Sequence, residues 1–85
     1  METNETQKQD EAQTAAPVAP LVEIKAQEYI SRIRAEPELA VKVQLMMELG
    51  DLRLNEYKST KSDRQRWLAK NCYVASRNFY MRAQR

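Results

Sequence analysis

The chain has no histidine, one cysteine, one glycine and three prolines among its 85 residues. Without histidine it lacks the commonest general base and the commonest metal ligand. Its lone cysteine, Cys72, can form neither an intrachain disulfide nor a Cys-rich zinc site. One glycine leaves no Gly-rich loop to cradle a phosphate and no series of tight hairpin turns. No apolar run approaches the length that spans a bilayer, and the acidic, Thr/Gln-rich N-terminus does not read as a signal peptide. Carboxylate pairs do occur, but Glu36/Glu38 falls at a helix start and Glu48/Asp51 on a polar stripe, with no cluster to work in. These absences exclude the ordinary enzymatic, cofactor-dependent, metal-bound and membrane classes. They leave the expectation of a cytoplasmic, non-enzymatic helical protein.

The charge that is present is unevenly placed. A formal net charge of +2 hides two opposed parts. Residues 1–57 carry six basic side chains against eleven acidic ones, while residues 58–85 carry eight basic ones against Asp63 alone. Such a split points to a polyanionic or acidic partner for the C-terminal segment. A solvated cationic face, or screening of one half by the other, would produce the same tally.

Residues 1–20 hold no large apolar side chain after Met1 except Val18, and they end in Pro17 and Pro20. A segment of this kind cannot bury enough surface to offset about 1–2 kcal/mol of backbone ordering per residue, so a disordered acidic Gln/Thr/Ala/Pro tail is expected. Residues 21–85 form one small domain of three helices, at about 21–35, 37–58 and 63–83. The first carries a single stripe of Val22, Ala26, Tyr29, Ile30 and Ile33 at helical spacing, and it ends before Pro37. The second starts near Pro37, a favoured first helical residue. Its apolar groups fall on two sides: Leu39, Val43, Met46, Met47, Gly50, Leu54 and Tyr57 on one, Val41, Leu45, Leu49 and Leu52 on the other. Lys42 and Arg53 fill one polar gap between them. A helix apolar on two sides must be sandwiched, either within the chain or by a second copy. Gly50 costs about 1 kcal/mol inside a helix, and close approach of a neighbouring helix would compensate; a helix stop is the alternative.

Ser62 followed by Gln65 fits a capping box that opens the third helix. Helices two and three are matched in length across a short turn, which gives an all-α antiparallel hairpin with a shorter N-terminal helix. On helix three, Leu68, Cys72, Ala75, Phe79 and Ala83 make a packing face of mostly small residues. Small residues let that face approach helix two closely. Cys72 there acts as a small hydrophobe.

Beside it runs a ridge of Arg66, Lys70, Tyr73, Arg77, Tyr80 and Gln84, at spacings of 4, 3, 4, 3 and 4. Arginine and lysine neutralise phosphates, and tyrosines stack on bases. Arg64 and Arg66 also occupy the first turn of helix three, where cations oppose the helix dipole. A local rule broken in this way marks a place to look for binding. Arg64, Arg66, Lys70, Tyr73, Arg77 and Tyr80 are therefore the candidate contacts to nucleic acid, bound without sequence preference, or to an acidic protein. Trp67, Val74 and Met81 form a seven-residue line on the far side of the helix. It is either core beneath helix one or an interface, since Trp, Met and Arg are enriched at interfaces. With Val41, Leu45, Leu49 and Leu52 of helix two, it is the candidate seam for self-association or a larger assembly. A chain of this size gains little stability from its own core. The profile would also suit a small phage- or plasmid-type regulator: an adaptor, inhibitor or assembly component.

Overall fold

The computed structural model describes residues 20–85, so the expected tail over residues 1–20 lies almost wholly outside the described residues. Three helices follow: α1 (Leu21–Ala35), α2 (Leu39–Thr60) and α3 (Asp63–Ala83), with no strand among the described residues.

The segment between α1 and α2 is extended, and α2 starts at Leu39 rather than at the expected Pro37. Glu36 is held in the extended region, as a residue before proline must be. The Glu36 carboxylate then accepts the Glu38 N–H at 3.2 Å, so Glu38 becomes the N-cap. At the other end of α2, Lys61 adopts the left-handed conformation (φ 59°), and its N–H donates to the Tyr57 carbonyl. One residue of that hand is enough to close a helix. Ser62 opens α3 by accepting the Gln65 N–H at 3.4 Å. The reciprocal half of the expected capping box is not made: the Ser62 N–H goes to Thr60 Oγ1, and the Gln65 side chain turns inward.

Helix α2 is continuous through Gly50, which has no positive φ. It packs antiparallel on α3 along its length, and α1 lies against its other side. The Leu45–Leu49 side of the two-sided helix is thus covered within one chain, whereas Met47 on the other stripe stays exposed. Ala26 and Ile33 of α1, Leu45 and Leu49 of α2, and Cys72 of α3 form the core, with Tyr29, Ile30, Met46, Leu52 and Phe79 packed around them. This corrects the expectation that Val41, Leu45, Leu49 and Leu52 form a seam to a second copy. Leu45 and Leu49 are buried by α1, Leu52 is half-buried on the same cluster, and Val41 alone is exposed.

The α3 packing face is rotated from the expected one: of Leu68, Cys72, Ala75, Phe79 and Ala83 only Cys72 is buried, Ala83 is exposed and the other three are half-buried. Ala69, Cys72 and Ser76 are buried, and Ser76 Oγ donates to the Val43 carbonyl at 2.9 Å. A side-chain hydroxyl reaching the neighbouring helix's backbone requires closely packed axes.

One buried polar group, at the end of the bundle where α1 and α3 begin, departs from the sequence pattern. Arg53, assigned to a solvent gap, is only 6% exposed. Its guanidinium pairs with Glu23 at 2.6 Å and donates to Gln65 Oε1 at 3.2 Å, while Gln65 Nε2 donates to the same Glu23 carboxylate at 3.3 Å. One residue from each helix meets there. A buried charge is tolerated only when paired and hydrogen-bonded, and both conditions hold.

Candidate functional site

Plotted at about 100° per residue, α3 divides into three faces. Gln65, Ala69, Cys72 and Ser76 turn to the interior. Trp67, Val74 and Met81 lie on the opposite side and are 61%, 49% and 50% exposed. Helix α1 does not cover this line, because it packs on the other flank of α2. Between these two faces runs the basic ridge, with Arg66, Lys70, Arg77 and Tyr80 exposed and Tyr73 half-buried.

The ridge forms one wall of a furrow between α2 and α3. Its upper part, about 510 Å³ in volume, is lined by Leu54, Ala69, Tyr73 and Val74, with Arg66, Lys70 and Arg77 along it. A second hollow continues it, bounded by Val43, Met47, Ser76 and Tyr80 and sharing Tyr73 and Arg77 with the first. The walls are therefore mostly apolar and the charged residues lining them cationic, with the Asp51 carboxylate beside them on the Tyr73 hydroxyl. By helical spacing, Val43, Met47 and Leu54 point away from the side of α2 that receives α1. The furrow is the second flank of the hairpin. A small hollow beyond it joins Asp63, Arg66, Trp67 and Lys70.

Tyr73 divides the furrow and is anchored there. Its ring lies on Gly50, and its hydroxyl donates to Asp51 Oδ1 at 2.6 Å. Burial, and then the hydrogen bond to the Asp51 carboxylate, push its phenol up to about 12. One face of the ring therefore belongs to α2. Tyr80, which has no such tether, remains 52% exposed.

The other charges of the helix are used differently. Arg82 and Lys42 lie 5.7 and 5.5 Å from the Phe79 ring centre, one from each helix, in cation–π range. Arg64 is exposed, yet its charge acts on Glu23. The Glu23 carboxyl is held below its ordinary value first by the Arg53 hydrogen bond, against the opposing effect of burial, with Gln65, the Arg53 charge and Arg64 adding to the lowering. Part of what Arg64 loses at the helix dipole is recovered there. Arg66, Lys70 and Arg77 have no such use: among the described residues the ion pair is Arg53–Glu23, and these three cations face solvent.

Cys72 is buried in the core, and burial raises its thiol above the ordinary range. Met46 packs on the core, whereas Met47 is exposed on the furrow wall. Among the described residues no three His, Cys, Asp or Glu side chains gather to hold a metal, and no helix is long and apolar enough to cross a membrane.

The helical spacing puts the ridge residues on one side of α3, as the structure does, but does not reveal the contribution of α2. By spacing alone Leu54 and Met47 read as packing surface. The clue available was that the Met47–Leu54 edge of that stripe lies well off the line through Leu39, Gly50 and Tyr57. Compared with protein-family models, curated proteins and solved structures, the chain finds no match.

Proposed function

We propose that this is a non-enzymatic helical accessory protein that captures an acidic protein partner along α3, in the manner of an adaptor, inhibitor or assembly component. One observation carries the reading: the cations Arg66, Lys70 and Arg77 line a furrow whose remaining surface is largely apolar, with Leu54, Ala69 and Val74 in it. Contiguous exposed apolar groups rimmed by charge favour a protein partner. Nucleic-acid surfaces are more polar and more uniformly positive. The anchoring of Tyr73 on Gly50 also removes one of the two tyrosines available to stack on bases. In this reading the protein works in the cytoplasm, where Cys72 stays a thiol. Helix α1 already covers the Leu45–Leu49 side of α2, and a second basic α3 would meet like charge at the open furrow, so assembly with a different chain is favoured over self-association.

A nucleic-acid reading keeps one observation of its own. Arg66, Lys70 and Arg77 stand in a row beside exposed Trp67 and Tyr80, a pattern suited to phosphates flanked by stacked bases.

Fluorescence anisotropy with labelled poly-glutamate and with a random DNA duplex, at about 50 and 200 mM salt, separates the two. The acidic-protein reading expects the polypeptide to bind and the variant R66E/K70E/R77E, with unchanged circular dichroism, to lose it. Binding of the duplex alone, weakened about 10³-fold across that salt range, would replace it with the nucleic-acid reading. Retention of poly-glutamate binding by the triple variant would remove the assigned surface.

A further inference from the structure

The hairpin of α2 and α3 has two flanks, and only one is covered. On the covered flank, α1 is a one-faced amphipathic helix: Ala26 and Ile33 enter the core, and Glu23 near its start pairs with Arg53 of the hairpin. The chain therefore already contains one example of how a helix seats on this hairpin, with an apolar stripe inward and a carboxylate on a hairpin arginine. The uncovered flank repeats those elements. It has an apolar lining with Met47 and Leu54 from α2 and Val74 at the outer edge of α3, and it has three cations in place of one. From Val43 to Leu54 the furrow runs roughly 16 Å along α2, about three helical turns.

We infer that this furrow is the seat of an amphipathic α-helix of the partner protein, its apolar stripe on Met47, Leu54 and Val74 and its carboxylates on Arg66, Lys70 and Arg77. The inference rests on the acidic-protein reading and adds the partner's secondary structure and pattern to it. Charge complementarity selects the occupant. A second copy of α3 is disfavoured, because its five basic side chains against Asp63 would bring like charges together across the furrow. A purely polar acidic segment would leave the apolar lining wet. A helix with apolar residues at i, i+3, i+4 and i+7, flanked by glutamates, satisfies both surfaces, which is how helix-in-groove recognition works.

The probes are two fluorescein-labelled peptides of about 14 residues, or four turns, with the same Leu/Ala/Glu composition. One is ordered to place its leucines on one helical face, and the other is scrambled. The ordered peptide should bind the full chain about tenfold or more tighter than the scrambled one and should gain helical circular dichroism on binding. The variant M47E/V74E changes two exposed side chains, so folding is preserved; it should erase the preference between peptides. Equal binding of the two peptides overturns the helix seat while leaving capture of acidic protein intact. Binding of neither overturns both. A preference unchanged in M47E/V74E moves the seat off this furrow.

Discussion

A methyl group on residue 50 would lie 2.8 Å from Cε1 of Tyr73, closer than carbon atoms approach, so the only glycine of α2 is the floor on which that ring rests. The glycine does not serve a turn. It is helical, and its missing side chain is replaced by an aromatic ring from the next helix.

Gly50→Ala should therefore destabilise the fold by about 1 kcal/mol. Overpacking of about 1–3 kcal/mol outweighs the roughly 1 kcal/mol that alanine gains as a helix former. In a Tyr73→Ala background the same change should stabilise by about 0.5–1 kcal/mol, because the obstacle is gone. Urea denaturation of the four proteins measures the coupling. Equal effects in both backgrounds would show that the ring does not rest there.

The Tyr73 phenol titrates near 12, raised by burial and by the bond to Asp51. A raised pKa contributes stability that is complete below the unfolded value, about 10, and is lost as pH rises toward the folded one. Stability should fall between pH 10 and 12, and Tyr73→Phe should fall less steeply than the parent over that window. Thermal melts across this range, compared as a difference between the two proteins, give the answer. Parallel curves would show that the folded chain does not raise the phenol.

Glu23 behaves in the opposite sense. Its lowered pKa, due chiefly to the Arg53 hydrogen bond, contributes stability that is present above the ordinary value of 4.5 and is lost as pH falls through the folded value. Glu23→Gln leaves the Arg53 charge buried without its counter-charge. Because Glu23 keeps some solvent contact, the cost should be about 2 kcal/mol rather than the 3–5 of a fully enclosed pair. Melting temperature measured from pH 6 to pH 3 should decline less in the variant. An identical decline would mean that Glu23 is not the group being titrated.

Cys72 is buried in the core cluster, and its raised pKa keeps it a thiol. Modification by a thiol reagent at neutral pH should be slow in the folded protein and should accelerate on adding urea, following opening of the core. A rate that matches free cysteine without denaturant would contradict its burial.

The helices themselves were legible because their signals are local. Pro37, the 3.6-residue stripe of α1, and Ser62 with Gln65 each act within one or two turns, and the observed limits of α1 and α3 follow them. The furrow and the buried ion pair were not legible for a common reason. Both depend on which side of α2 receives α1. Two apolar stripes on one helix make the alternatives look equal, and only after α1 occupies the Leu45–Leu49 side does Met47 become surface. Glu23, Arg53 and Gln65 are polar at every level a single chain segment can show, and they are 30 and 12 residues apart along the sequence. Their meeting point exists only in the assembled bundle.

Because α1 rests mainly on α2, meeting α3 through the Ala26–Ile33 side of the core and the Glu23–Gln65 bond, it is the element most readily shed. Its N-cap residue, Pro20, supplies no side-chain hydrogen bond. Detachment would leave a two-helix ribbon with a fresh greasy strip of Leu45 and Leu49 and an orphaned arginine. Hydrogen exchange should register this as earlier loss of protection over residues 21–35 than over the hairpin. In such a molecule the weakest seam sets how long α1 stays docked, while the hairpin persists on its own clock.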